Sequence, residues 1–347
     1  MRNPFTLSFG KEPNQCISRL ELTARIIEEI ESDPPVNQVY MITGVRGSGK
    51  TVLLTEIAKR MEESEEWIVV DLVPVRDMLQ SLASKLYSIP SLSTLFTKAK
   101  LNLSAFGMGV SIENVPPVTD IETVLSLMLT EIRKKGKKVL ITVDEVNPNE
   151  YVKVFVSVFQ SLMRKDYPIF LLMTGLYENI LDLQDEKSLT FLYRAPRIMM
   201  GPLNISAVAN RYNSIFKISM AKAKEMANLT RGYPFAFQVL GYLYWNKKDT
   251  DDIDSLLPDL DHYLEEFVYE KIWSELSEKD KQIVSVIAAS GGSMSIKDIR
   301  ESLQISSGEM SVYRNRLNRK GIIDVSEYGK VSFYLPRLEE IVNRWNA

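Results

Sequence analysis

Cys16 is the only cysteine and His262 the only histidine in 347 residues. A single thiol closes no internal disulfide and suits a reducing compartment. One imidazole and one thiol also leave zinc short of the ligands it takes. His262 lies in a polar helical stretch and reads as an exposed, solvated side chain. No apolar run approaches the roughly 18 residues of a membrane span, and Met1-Arg2-Asn3-Pro4-Phe5 opens no signal-peptide core. Internal repeats and low-complexity tracts are missing too. Charge of either sign is in balance, with 42 basic and 45 acidic residues. These absences leave a cytoplasmic globular protein, long enough for two or three domains.

Against that plain background stands Gly44-Val45-Arg46-Gly47-Ser48-Gly49-Lys50-Thr51, a complete phosphate-binding loop of the form G-x-x-x-x-G-K-[ST]. Val39 to Thr43 before it is short, apolar and β-branched enough for a buried strand. Val52, Leu53, Ile57 and Met61 after it sit at helical spacing. Strand, glycine loop and helix are the context in which this motif works. The glycines let backbone N–H groups curl round a di- or triphosphate, and the helix N-terminus adds its dipole. Lys50 reaches the β- and γ-phosphates, and the Thr51 hydroxyl can ligate Mg²⁺. The expectation is bound ATP or ADP, held by residues 44 to 52.

Hydrolysis needs acid beside the metal. Val139 to Val143 is a second buried strand, and it ends in Asp144-Glu145, about 90 residues past the loop. Asp144 is placed to hold Mg²⁺, and Glu145 to polarise the attacking water. A further core strand, Ile169 to Met173, ends in Thr174-Gly175. A polar tip there points at the γ-phosphate from the side opposite Lys50.

The order of the remaining elements predicts an α/β fold with a parallel sheet. Ser18-Arg19-Leu20-Glu21 and Thr119-Asp120-Ile121-Glu122 look like capping boxes. Trp67 to Leu72 and Arg197 to Met200 read as two more strands. Residues 101 to 114 alternate well enough to predict a hairpin pivoting at Gly107 and Gly109. The basic run Arg133 to Lys138 reads as a solvated helix end.

Phosphate loop, Asp-Glu strand, polar fourth-strand tip and an arginine before the fifth strand, in this order, resemble the AAA+ ATPases. Gly232-Tyr233-Pro234 narrows the resemblance to the signal-transduction ATPases with numerous domains and to prokaryotic ATPases related to origin-recognition initiators. The resemblance implies a P-loop core at 1–203, a helical lid at 204–274 and helices on both faces of the sheet. It also implies that Thr174 orients the hydrolytic water and that Pro234 packs near the adenine. Arg194 becomes an arginine finger acting on a neighbouring subunit, with Arg197 as its rival. Only Arg231 offers itself as a second-sensor arginine in the lid.

From Ser277 the pattern changes to three short helices and a ribbon, the order of a winged helix-turn-helix over 275–347. Ser277-x-x-Asp280, Ser295-x-x-Asp298 and Ser306-x-x-Glu309 mark the helix starts. In the third helix Met310, Tyr313 and Leu317 face the core, which turns Ser311, Asn315, Arg316 and Arg319 outward with Arg314 beside them. With Lys330 in the ribbon, these residues suit double-stranded DNA. Residues 277 to 347 hold 11 basic and 9 acidic side chains. That small excess keeps a protein partner open as the alternative. The reading is an ATP-hydrolysing switch that forms homo-oligomers with ATP and binds DNA. A nucleotide-gated scaffold whose last domain binds protein is the runner-up.

Overall fold

The computed structural model describes residues 2–7, 13–109, 116–247 and 252–347. The chain divides into two compact units. The first comprises Leu20–Thr43 and Lys50–Met199. The second comprises Met1–Arg19, Gly44–Gly49 and Met200–Ala347.

The first unit is built on five parallel strands: β1 (Val39–Thr43), β2 (Trp67–Leu72), β3 (Lys138–Val143), β4 (Ile169–Gly175) and β5 (Arg197–Met199). Their order across the sheet is β2-β3-β4-β1-β5. Every residue of β1 and β4 is buried, as continuous apolar runs in a doubly covered sheet must be. Met41, Ile141, Leu171 and Met173 share a core with the helices Met78–Ser88, Ile121–Lys134 and Glu150–Met163. Tyr40, Ile42, Leu140 and Leu172 alternate with them and are buried too. The register pairs Ile42 with Thr174 and Val143 with Met173, so the carboxyl ends of β1, β3 and β4 lie level.

Local polar contacts fix where the helices begin. Asp77 and Asn149 each accept a hydrogen bond from the backbone N–H three residues on. Such caps contribute about 1 kcal/mol each. At the expected box over 119–122 the cap is Asp120, one residue later: its carboxylate accepts from the Thr123 amide and hydroxyl at 2.8 and 2.6 Å. The hairpin expected at 101–114 is overturned in its described part. Residues 104–106 form a 3-10 turn, stapled by Asn102, which accepts from the Ser104 amide and hydroxyl. Leu103 and Met108 enter the core from it. The mixture of apolar and small or polar residues over 102–109 had the look of strand alternation. Residues 110–114 of that expectation lie outside the described residues.

The second unit is mainly helical. Ile205–Phe216, Met220–Leu229 and Pro234–Asn246 surround an aromatic cluster in which Phe5 meets Tyr212, Phe216 and Phe237 at 5.5 to 6.0 Å. Leu257–Leu264, a π-helical turn and Glu270–Ser274 follow. Then come the helix Glu278–Ala289, β6 (Ser293–Ser295), the helices Ile296–Leu303 and Ser307–Arg319, β7 (Ile323–Asp324), β8 (Lys330–Phe333) and the helix Leu338–Trp345. The antiparallel sheet runs β6-β8-β7, with Met294 opposite Val331 and Ile323 opposite Phe333. Helix, strand, two helices and a two-stranded ribbon is the order of a winged helix-turn-helix. The boxes at Ser277 and Ser306 are reciprocal, whereas Ser295 accepts from Asp298 in one direction only.

One core runs through this unit, from Leu240 and Leu260 to Ile287, Leu317 and Ile341. Each such side chain contributes on the order of 1.5–3 kcal/mol by leaving water. Charged contacts add geometry to it. Arg231 donates to the carbonyls of Phe333 and Leu335 at 3.1 Å each and pairs with Glu339 at 2.5 Å. The one second-sensor candidate is therefore engaged by the C-terminal residues. Asp261, nearly buried, receives Arg337 in two hydrogen bonds at 2.7 and 2.9 Å and Arg344 in one at 3.0 Å. Removing that carboxylate takes a buried partner from both guanidinium groups and leaves Arg337 with Glu340 and Arg344 with Glu265. Asp261→Ala is expected to lower unfolding free energy by about 3 kcal/mol, read from the urea midpoint. A midpoint equal to wild type would show that solvent already carries the pair.

Candidate phosphate and cation site

The loop after β1 has the conformation its glycines predict. Gly47 and Gly49 are left-handed, with φ of 70° and 87°. The Ser48 amide donates to the Val45 carbonyl at 3.2 Å and closes the turn. A side chain cannot enter at Gly47: a Cβ there would lie 2.4 Å from the Tyr233 hydroxyl and 3.0 Å from Phe235 Cβ. The Tyr233 hydroxyl donates to the Arg46 carbonyl at 2.5 Å, and Arg46 pairs with Glu275 at 2.8 Å. Pro234 Cγ would be 3.9 Å from a Cβ on Gly49. Ser48 is buried, and its hydroxyl has no hydrogen-bond partner among the described residues. An orphaned hydroxyl in a glycine cradle, directly before the first turn of the helix Lys50–Glu62, fits a phosphate oxygen.

The ends of β3 and β4 carry the acidic side. Asp144 Oδ2 accepts from the Thr51 hydroxyl at 2.7 Å. Asp144 Oδ1 accepts from the Thr174 hydroxyl and from the Glu145 amide, the latter at 3.1 Å. The Glu145 amide also reaches the Thr174 oxygen at 3.1 Å. Thr174 is fully buried, so its hydroxyl orients the acidic pair. Glu145 is exposed and held at φ of 53°, a left-handed conformation that costs a non-glycine residue about 1 kcal/mol or more. A hydroxyl and one carboxylate are the hard oxygen donors with which Mg²⁺, completed by phosphates and water, is held. Thr51 and Asp144 fit it.

The other expected residues lie apart in function. Arg194 ends a 3-10 stretch before β5, exposed, with no hydrogen bond or ion pair among the described residues. Arg197 is engaged, over the Tyr177 ring at 5.7 Å and bonded to its hydroxyl at 3.3 Å. In the helix Ser307–Arg319 Asn315 and Arg319 are exposed and Arg314 is half-buried, and Lys330 at the start of β8 pairs with Glu327 at 3.4 Å. Arg316 departs from the expectation. It donates to Asp280 and to Ser277 at 2.9 Å and stacks on Tyr313, so it ties the third helix to the first. The period-3.6 reading placed it correctly on the face away from Met310. What that reading missed is that a buried Asp280 lies within reach of so long a side chain. A cavity of about 390 Å³ between the helix Leu20–Glu31 and β5, lined by Arg25, Tyr40, Arg197 and Met199, includes neither the phosphate-loop residues nor Asp144 and Glu145.

Comparison with known proteins agrees with this geometry. Residues 21–175 match a family model described as an ATPase domain predominantly from Archaea. The Aeropyrum pernix ORC2 protein, solved as ADPNP-ADP complexes, superposes with a TM-score of 0.56 at 12% identity, covering 97% of this chain and 96% of that one. The chain shares the fold of that protein. Cdc6p from Pyrobaculum aerophilum is similar at a TM-score of 0.47 and 13% identity, with 97% and 96% covered. A signal-transduction ATPase with numerous domains from Pyrococcus horikoshii gives 0.43 at 15% identity, over 95% of this chain and 42% of that one. Residues 266–342 match a domain of unknown function (DUF8462). No curated protein matches the chain in sequence. Among the described residues no helix is long and apolar enough to cross a membrane.

Two features were outside the reach of sequence reasoning. The contact of Tyr233 with the loop had one signal, an aromatic residue between Gly232 and Pro234. The left-handed Glu145 had none. Thr174→Val keeps the shape and removes the hydroxyl shared by Asp144 and Glu145. Its stability is expected to fall by about 1–2 kcal/mol, measured by denaturant unfolding. An unchanged value would show that Asp144 is held without Thr174.

Proposed function

We propose that this protein is an AAA+ ATPase of the origin-recognition type, which binds ATP with Mg²⁺ and hydrolyses it as a slow molecular switch. The observation that carries the reading is the Thr51–Asp144–Thr174 hydrogen-bond chain, formed by the residue after Lys50 and the tips of β3 and β4. In this reading residues 44–52 cradle the phosphates, with Lys50 on the β- and γ-groups and Pro234 near the base. Mg²⁺, held by Thr51 and Asp144, supplies neutralisation of phosphate charge. Glu145 accepts the proton of the attacking water, and its exposure suits contact with water. Thr174 fixes the position of that carboxylate through Asp144 and the Glu145 amide. The ADPNP and ADP bound by the similar Aeropyrum pernix protein are consistent with ATP as the ligand. An ATPase core at 1–203, a lid at 204–274 and a winged helix-turn-helix at 275–347 are the domains we assign, in an intracellular protein.

Arg194 is proposed as the finger in an ATP-dependent homo-oligomer. Its exposure and lack of an internal partner support it over Arg197, which is occupied by Tyr177. Fingers contribute roughly 10³-fold to turnover where measured. Glu145→Gln is expected to keep ATP binding and abolish phosphate release. Arg194→Ala should do the same, and mixing the two proteins should restore part of the activity at junctions pairing one intact residue from each. Turnover by Glu145→Gln within a few-fold of wild type removes Glu145 from the role, and no recovery on mixing removes Arg194.

Duplex DNA is the proposed partner of the helix Ser307–Arg319 and the ribbon, through Arg314, Asn315, Arg319 and Lys330. A specific observation favours the protein-partner alternative: Arg316 is spent internally, while Val312 on the same helix and Tyr328 at the ribbon turn are 61% and 103% exposed. Salt separates the two. DNA affinity should fall steeply with added salt, and Arg319→Ala should flatten the slope by about one unit. Duplex binding that is undetectable at low salt, or insensitive to it, assigns the face to protein.

A further inference from the structure

We propose that Tyr233 is a positioning residue of the phosphate loop, whose hydroxyl holds the Arg46–Gly47 peptide in the orientation that turns the Gly47 N–H toward phosphate. The inference rests on the nucleotide-site reading above and deepens it. A trans peptide points its C=O and its N–H in opposite directions. With the Arg46 carbonyl drawn to Tyr233 at 2.5 Å, the Gly47 N–H faces away from the ring. Were the peptide to flip, a carbonyl oxygen would enter the cradle and repel the ligand. Glycine makes that flip cheap, because it populates both signs of φ. The same glycine is required, since a Cβ at residue 47 would strike the hydroxyl. The loop's need for glycine thus creates a looseness that the tyrosine removes.

The tyrosine is itself fixed. It is fully buried, its amide donates to the Thr230 carbonyl at 2.8 Å, and its ring lies edge-on to Phe235 at 6.5 Å. Gly232 before it is left-handed, and a Cβ there would meet the Leu203 carbonyl at 2.4 Å. Burial pushes the phenol far above its ordinary pKa, so the group remains a donor. A hydrophobic residue would fill the ring's place, and only a donor orients the peptide.

The test is Y233F in the full chain, titrated with fluorescent ADP and with ATP. Losing one hydrogen bond that preorganises the cradle should weaken both ligands about 10-fold. A merely structural tyrosine would lower the melting temperature of the free protein and of the ADP complex equally, with affinity unchanged. Wild-type affinity in folded Y233F overturns the proposal. Absence of ADP binding by the wild-type protein overturns the nucleotide site itself and is thereby told apart. If Y233F does not fold, 4-aminophenylalanine and 4-methylphenylalanine at position 233 provide the comparison, since both fill the space and one retains a donor. The donor variant should bind ADP about 10-fold more tightly, and equal affinities overturn the role.

Discussion

The Thr51 and Thr174 hydroxyls and the Glu145 amide converge on the Asp144 carboxylate, which ties the tips of β3 and β4 together. A carboxylate with several donors aimed at it is held in one place. The parallel sheet makes the convergence available, because register alone brings Thr174 level with Ile42 and Met173 level with Val143. Glu145 then has little choice. Its amide is claimed by Asp144 and Thr174, which forces the left-handed backbone and leaves the carboxylate exposed. Strain kept at such a residue is what a functional site leads one to expect, since stability alone would have relaxed it.

Much of this was legible before any coordinates. Strands buried on both faces announce themselves as apolar runs, so β1, β3 and β4 were readable, and the acidic pair and Thr174 could be placed at their carboxyl ends. The glycine loop carries its own geometry in its spacing. Where one structural outcome has several sequence forms, the reading fails. Leu103 and Met108 could serve a strand or a turn, and Asn102, which decides for the turn, looks unremarkable in a polar stretch. β6 is three residues of Ser-Met-Ser, too short and too polar to signal a strand, and it exists because β8 pairs with it. Arg316 shows the same limit for charge: helical periodicity says which way a side chain leaves the helix, and only the fold says what it meets.

The C-terminal residues of the chain resist the usual contrast between an adhesive face and a structural core. Arg231, Arg316, Arg337 and Arg344 all point to carboxylates or carbonyls within the second unit. A count of basic residues over 277–347 therefore overstates the charge available to an outside partner. Partial exposure also limits what these pairs contribute, since Arg344 is about half exposed and its ion pairs are weakened by solvent. Their worth is angular: they fix how helices meet. The hydrophobic core from Leu240 to Ile341 supplies most of the cohesion.

The close fit of Val45 and Gly47 among later residues bears on how freely this architecture can be recombined. A Cβ on Gly321 would meet Val45 at 3.2 Å, and Tyr233 closes on Gly47, so two distant stretches of the chain are moulded to the same six-residue loop. Exchange of the C-terminal segment for that of a distant relative would carry in a turn shaped for another loop. Insertions are free to accumulate elsewhere, but here divergence has to be concerted. A change at residue 45 or 47 selects for a matching change near 233 or 321, and lineages are expected to inherit the loop, the residues around 233 and the turn at 321 together as a single heritable block.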